Sequence, residues 1–476
     1  MTSFNTVPDL SRCSPAEQGL SSELISSFLT KLDHEVYEIH SFMLLKGGKV
    51  VAESWWKPYT PDRKHMLYSL SKSFTSTAAG FAVEEGKLSL NDKVISFFPG
   101  QVPDHTIDNL SAMTVRHLLT MSTGHKEEPS RDSNDWVKAF LQAPVDFTPG
   151  THFLYNSLAT YMVSAIIQKI TGKTLLEYLT PRLFQPLGIE EATWDSCPSG
   201  INVGGWGLNI KTEDIAKFGQ LYLQKGVWEG KQLISEAWID MATSAQVENG
   251  NDPDNDWCQG YGFQFWRNRH NCYRGDGAFG QFCIVMPDQD AVIAITSGTN
   301  DMGKVLNLIW DHLLPALNGK STSTVAIQDS EGSLQIPMEI KKHHGTNTSP
   351  AISELHIDTY LFGNNEKGYE TISFEFEEGK VLFTIKQKGH EHQFAAGLNG
   401  EWHYGESSFD HWYSRQVAIT GAWTDPYTFS AKLCYVETPF CPMFTFNFHG
   451  GEVRIKYMMN VSFGGPQTET ITAFRV

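Results

Sequence analysis

The hydrophobic pattern changes period part-way along this chain, and that change limits the architectures open to it. From residue 351 to 476 apolar residues alternate with polar ones, as in Thr371-Ile372-Ser373-Phe374-Glu375-Phe376 and Lys380-Val381-Leu382-Phe383-Thr384-Ile385. Phe444-Thr445-Phe446-Asn447-Phe448 turns through Gly450-Gly451 into Val453-Arg454-Ile455-Lys456-Tyr457 in the same way. A period of two puts successive side chains on opposite faces, which suits half-buried strands. Short strands separated by regular turns predict an antiparallel sandwich or barrel.

Upstream, strand-like and helix-like stretches alternate. Residues 40–45 and 49–54 flank Lys46-Gly47-Gly48 as a hairpin, and residues 281–286 and 290–296 flank Pro287-Asp288-Gln289. Helical spacing is present over 69–86, 114–121, 157–171, 212–225 and 301–316. Strands at both ends with helices between them predict an α/β (α+β) domain. Its central antiparallel sheet is built from N- and C-terminal pieces, flanked by helices and interrupted by a helical subdomain. The chain, at 476 residues, is too long for one ordinary domain. The expected division is a first domain over 1–318, a linker over 319–350 and an all-β domain over 351–476, with Lys320-Ser321-Thr322-Ser323-Thr324 and Thr346-Asn347-Thr348-Ser349-Pro350 bracketing the linker.

Charge and cysteine usage exclude several classes. A net charge of −17 opposes a phosphate backbone, so no nucleic-acid partner is expected. No apolar run approaches the ~18 residues of a membrane span, and Met1-Thr2-Ser3-Phe4-Asn5 opens without a signal-peptide pattern. The seven cysteines are scattered and include no Cys-x-x-Cys, which fits free thiols in the cytoplasm. With no His-Glu-x-x-His either, neither a metal nor a cofactor is expected; His390 and His392 read as a solvated strand edge.

Three stretches carry chemistry. Ser69-Leu70-Ser71-Lys72 opens a helical segment and puts a hydroxyl and an amine one turn apart on one face. A serine needs a neighbouring base to become a nucleophile, and Lys72 is placed to serve; the plain alternative is a helix cap with a surface lysine. Tyr155-Asn156-Ser157 precedes a second helix, and a cation such as Lys72 would lower the phenol from its ordinary value near ~10. Arg274-Gly275-Asp276-Gly277-Ala278-Phe279-Gly280-Gln281 is a glycine-dense strand that another backbone or a ligand can approach closely, or else a hairpin with a bulge. The Gly-x-Ser-x-Gly elbow of an α/β-hydrolase does not occur.

In this order and separation, Ser69-x-x-Lys72, Tyr155-x-Ser157 and Gly275-x-Gly277 resemble the serine β-lactamase and penicillin-binding-protein superfamily. The match is to its class C-like branch of esterases and D-amino-acid peptidases. Thr114-Val115-Arg116-His117-Leu118-Leu119-Thr120-Met121-Ser122-Thr123-Gly124-His125, Pro186-Leu187-Gly188-Ile189 with Thr193, and Gly204-Gly205 with Thr212-x-Asp214 extend the resemblance over about 15–316. It implies a β-lactamase-like catalytic domain followed by a β-barrel of the lipocalin-like kind found in two-domain relatives. It also implies an acyl-enzyme on Ser69, with Lys72 and Tyr155 sharing proton transfer, Tyr155 as the base for deacylation, and an oxyanion hole from the backbone N–H groups of Ser69 and Ala278. Ser157, Gly277, Trp206 and Phe279 become expected substrate contacts, while Trp257, Tyr261 and Trp266 are expected to pack.

Two departures bear on substrate. Ser157 stands where the family commonly has asparagine, and Gly275 where it has lysine or histidine. Arg274 is adjacent but alternation points it to the other face, and Asp276 adds negative charge. These changes favour neutral esters, with D-amino-acid amidase or peptidase activity, or weak β-lactamase activity, as alternatives. A scaffold that only binds an acyl ligand or a protein partner is the alternative of another class. Trp402, Tyr404, Trp412 and Tyr413 suit an all-β domain that covers the site's mouth or joins copies of the chain into a homo-oligomer.

Overall fold

The computed structural model describes residues 10–103, 108–319, 332–352, 359–409, 415–465 and 467–476. The first domain is built as expected on a sheet from both ends of its chain. Strand Ile39–Lys46 lies between Lys49–Lys57 and Ala291–Ser297, and the sheet continues through Gln281–Met286 and Tyr273–Gly277 to Trp266–Arg267. Phe42 pairs with Ile295 and Leu44 with Ile293, so the N-terminal hairpin is locked directly onto the C-terminal one.

Both faces of this sheet are covered, which is why its strands read as near-continuous apolar runs. On one face Met43, Leu45, Val285 and Val292 pack with helices Ser71–Glu84, Ser157–Thr171 and Thr212–Leu223. On the other, Phe42, Leu44, Ile284 and Ile293 meet helix Ser22–Glu35 and the closing helical segment from Met302 to Leu317. Helix Ser71–Glu84 is buried almost all round, and three of its polar side chains are bonded inside: Ser73 bonds Gln264 O at 2.9 Å, Thr75 bonds Gly204 O at 2.9 Å and Thr77 meets the Tyr222 hydroxyl at 2.8 Å.

The stretch expected as a linker carries two short strands. Leu334–Gln335 and Met338–Glu339 pair in parallel with Lys49–Lys57, covering the sheet's edge and making it mixed. Lys320 to Thr324 lie outside the described residues.

The all-β region is a barrel, not a sandwich. Ten strands from Thr359–Phe362 to Gln467–Arg475 form one sheet, and a parallel bridge from Gly397 to Thr420 closes nine of them into a ring. Its core is aromatic, with Phe374, Phe383, Phe394, Phe444 and Phe446 in contact. A cavity of about 520 Å³ opens at one end, lined by Phe362, Tyr369, Phe409, Phe444 and Tyr457 among others.

The barrel is fused to the first domain. Met66 N–H donates to Glu437 O at 2.8 Å, and the Asn460 side chain reaches Gly298 O at 3.3 Å and Glu38 Oε2 at 3.2 Å. A buried ion pair joins Lys432 of the barrel to Glu38. Trp402 donates to Glu339 Oε1 at 2.7 Å in the same seam and Tyr404 is 46% exposed beside Arg63, whereas Trp412 and Tyr413 lie outside the described residues.

Candidate active site

Ser69 does not cap the helix. It lies in a 3₁₀ turn, Tyr68–Leu70, that runs into helix Ser71–Glu84, and no side-chain cap is made at either start. Tyr68 carries φ +48°, a left-handed conformation that is uncommon for a bulky residue. The turn leaves Ser69 half-buried and Lys72 fully enclosed one turn on.

Lys72 is therefore no surface lysine. Its Nζ donates to Ser69 Oγ at 3.1 Å, to Ser157 Oγ at 3.1 Å and to Gly205 O at 2.7 Å. Removal from water disfavours the ammonium and brings its pKa from 10.5 to about 7, although Glu128 and Asp276 pull the other way. A lysine near neutrality is half amine, and an amine at 3.1 Å from a hydroxyl can accept its proton.

Tyr155 corrects the expectation of an acidified phenol. Lys72 Nζ does sit over its ring, 4.8 Å from the centroid, but burial raises the phenol well above its usual range. Asp276 adds to the rise, and a hydrogen bond with Ser69 opposes it. The phenol is therefore protonated at neutral pH and available as a donor or relay, not as a standing base. Its ring stacks on Trp266 at 5.2 Å and meets Tyr261 edge-on at 6.2 Å, so those two residues pack around Tyr155.

The glycine strand explains itself by distance. A Cβ at Gly277 would lie 2.0 Å from Leu67 O and 3.1 Å from Ser69 N, and one at Gly275 would lie 2.5 Å from Leu70 Cδ1 and Ser73 Oγ. Only glycine lets the strand press on the turn that carries Ser69. Ala278 follows at the strand's end, half-buried beside that turn.

Arg274 and Asp276 share the opposite face, as alternation requires. The guanidinium bonds Asp276 Oδ2 at 2.9 Å and Asp256 O at 2.9 Å, reaches Asn268 Oδ1, and lies 4.6 Å from the Trp257 ring. Trp257 also donates to Asp276 Oδ2 at 3.1 Å. Both charges are thus engaged with each other and with the packing, away from Ser69.

Several residues at the site carry no motif. Glu128 accepts the Ser157 N–H at 3.1 Å, and Arg131 lies 4.9 Å from the Trp206 ring; both are exposed. They come from an irregular loop whose sequence has neither periodicity nor spacing to mark it. Phe440 and Phe463 arrive from the barrel, more than 370 residues after Ser69, and nothing local in the sequence connects them to it.

A possible metal-binding trio does assemble, though not where a motif could show it. Glu38, His40 and Cys441 bring ligand atoms within 4.8 Å of one another in the domain seam. Glu38 already pairs with Lys432, and burial pushes the Cys441 thiol up, away from the thiolate a metal would need. The chemistry of this donor set suits an ion pair between domains.

A helix-flanked sheet built from both ends of a domain, with serine and lysine one turn apart beneath a glycine strand, defines the class of serine hydrolases that work through an acyl-enzyme. The Beta-lactamase family model matches residues 40–316, more than half of the chain, and the chain belongs to that family and is a serine hydrolase. Over 322 residues it is 24% identical to the 6-aminohexanoate-dimer hydrolase of Paenarthrobacter ureafaciens, a match covering 60% of this chain and 80% of that enzyme. Other curated relatives are matched over 36–66% of their own length.

Among solved structures, the octameric penicillin-binding protein homologue from Pyrococcus abyssi superposes with a TM-score of 0.51 at 16% identity, covering 91% of this chain and 97% of that one. The fold likeness therefore extends into the barrel. EstCE1, a hydrolase with promiscuous acyltransferase activity, superposes with a TM-score of 0.52 at 18% identity over 63% of this chain and all of its own. No helix among the described residues is long and apolar enough to cross a membrane.

Proposed function

We propose that the chain hydrolyses neutral esters through an acyl-enzyme on Ser69. The observation that carries this reading is Lys72, enclosed at hydrogen-bond distance from Ser69 with its pKa brought to about 7. The Lys72 amine takes the Ser69 proton as Oγ attacks the ester carbonyl. The backbone N–H groups of Ser69 and Ala278 hold the resulting oxyanion, each such donor being worth about 2.7–4 kcal/mol in comparable sites. The alcohol leaves with the proton returned from the Lys72 ammonium. Water then attacks the acyl-Ser69 ester, giving its proton to Lys72, and the acid departs as Ser69 is restored. Tyr155 and Ser157 steady the network by hydrogen bonds to Ser69 and Lys72.

Neutral esters fit because the glycine strand turns no cation toward Ser69: Gly275 meets Leu70 and Ser73, and Arg274 points to the other face. In this reading Trp206 and Phe279 are the substrate contacts. A second reading, hydrolysis of short amides with a free amine, draws on exposed Glu128 at the rim and on the likeness to the 6-aminohexanoate-dimer hydrolase of Paenarthrobacter ureafaciens. Retention of serine, lysine and tyrosine in one hydrogen-bonded group speaks against a scaffold that only binds.

The experiment compares p-nitrophenyl butyrate, nitrocefin and a D-alanyl amide, with intact mass after a fluorophosphonate probe. Ester turnover and one covalent adduct should both vanish in Ser69→Ala; turnover unchanged in that variant refutes the mechanism. The seven cysteines, all free thiols, support placement in the cytoplasm, which fractionation of the source cells checks. Assembly into a homo-oligomer through the barrel is our reading from the octameric Pyrococcus homologue, and light scattering after size exclusion measures it.

A further inference from the structure

The two residues that flank the reacting groups, Tyr68 before Ser69 and Phe279 after Ala278, are both aromatic and both held at positive φ, +48° and +67°. Bulky L side chains seldom adopt this conformation, so their surroundings hold them there. Their rings meet edge-to-face at 5.2 Å. Two further rings come from the barrel. Phe440 lies 6.5 Å from Tyr68 and 6.0 Å from Phe279, and Phe463 lies 6.1 Å and 5.1 Å from the same two.

The barrel loops bearing these rings have a fixed base. Buried Asn460 accepts from Cys441 N–H at 2.7 Å and donates to Pro439 O at 2.9 Å, tying the two loops together, and its bonds to Glu38 and Gly298 tie both to the catalytic domain. Yet Phe463 itself is 82% exposed, the most exposed large hydrophobic side chain among the described residues. An apolar ring set against Tyr68 and Phe279, with most of its surface facing water, is suited to contact an apolar group of a ligand.

We propose that the barrel completes the substrate pocket: Phe440 and Phe463, with Tyr68 and Phe279, receive the apolar arm of the ester, and Phe463 selects bulky arms over short ones. This rests on the ester reading and adds its substrate class, esters with an aromatic or extended alkyl group. Phe463 is a specificity residue; it takes no part in proton transfer.

Phe463→Ala removes the ring from an exposed loop position, and Phe463→Trp keeps an aromatic wall. Rates are compared for p-nitrophenyl acetate and p-nitrophenyl 4-phenylbutyrate, and separately for labelling of Ser69 by a methyl and a decyl fluorophosphonate. In Phe463→Ala the preference for the bulky member of each pair should fall about tenfold, the scale on which an apolar pocket discriminates. Phe463→Trp should retain the preference. An unchanged ratio in Phe463→Ala overturns the proposal, as does a change of assembly state in that variant, which would make Phe463 a contact between copies. The labelling ratio needs no turnover, so it still decides the role of Phe463 if wild-type protein labels at Ser69 but hydrolyses no ester, a result that would sink the ester reading alone.

Discussion

Lys72 offers a test in which stability and chemistry pull in opposite directions. In the unfolded chain its amine titrates near 10.5, and in the fold near 7 because burial disfavours the charged form. Folding therefore releases a proton from this group at any pH between the two values, and linkage fixes the sign. The penalty is full below the folded pKa, shrinks as pH rises, and disappears above the unfolded pKa. A drop of this size amounts to roughly 5 kcal/mol at low pH, at about 1.36 kcal/mol per pH unit. Lys72→Met keeps a side chain of similar length without the charge. It leaves Gly205 O without the donor now at 2.7 Å, a cost of about 1–3 kcal/mol that does not depend on pH.

Differences between the two proteins cancel every other titration. Relative to wild type, Lys72→Met should be most favoured near pH 6, and its relative stability should fall by about 2.5–3 kcal/mol on going to pH 9. Urea denaturation followed by tryptophan fluorescence at several pH values measures this directly, while ester turnover and Ser69 labelling are lost at all of them. A stability difference that is flat in pH, or that moves against the variant as pH falls, would mean that Lys72 is charged in the fold and cannot be the base.

The same pKa sets the activity profile: kcat/KM for a neutral ester should rise with pH through about 7, since only the amine form of Lys72 can accept the Ser69 proton, and a profile flat from pH 5.5 to 8.5 excludes that role. Gly277→Ala would place a Cβ 2.0 Å from Leu67 O, so thermal melts should show a loss of about 1–3 kcal/mol, together with greatly slowed labelling of Ser69 as the strand is pushed from the turn. Lys432→Met leaves Glu38 buried and unpaired, for an expected loss of about 3–5 kcal/mol by denaturation, most of it restored by adding Glu38→Gln.

What was legible in the sequence was what is local or periodic. The two hairpins of the first domain, the helix after Ser69 and the period-two strands of the barrel follow from side-chain spacing, because each element buries a face that its own residues define. Ser69, Lys72, Tyr155 and the glycine strand could be grouped from their order, and they do meet. What failed to show was set by tertiary environment. One neighbouring charge alone predicts an acidified phenol at Tyr155, whereas Trp266, Tyr261 and the surrounding packing remove water from the ring and dominate. Lys72 illustrates the same point in reverse, since no pattern distinguishes a lysine that will be enclosed from one that will be solvated. Glu128, Arg131, Phe440 and Phe463 sit on loops without periodicity, so only the folded chain brings them to the site.

The seam also argues against treating the barrel as a detachable module. Ala418, Cys434, Val436 and Cys441 of the barrel belong to the same apolar cluster as Phe42, Leu44, Trp56 and Tyr59 of the catalytic domain. The Tyr59 hydroxyl reaches Thr438 O at 3.2 Å, and Lys432 neutralises Glu38 inside this cluster. Removing residues 351–476 would therefore expose core apolar surface and leave a carboxylate without its cation, the latter alone costing about 3–5 kcal/mol. Typical domain stabilities are about 5–15 kcal/mol, so the cut removes a large share of what holds the first domain folded. The expected result is a truncated 1–350 chain that aggregates or melts far below the full-length protein, with Ser69 labelling lost as a consequence. A monomeric 1–350 fragment with an unchanged melting temperature would show that the shared cluster contributes little, and that the barrel acts on the active site only through Phe440 and Phe463.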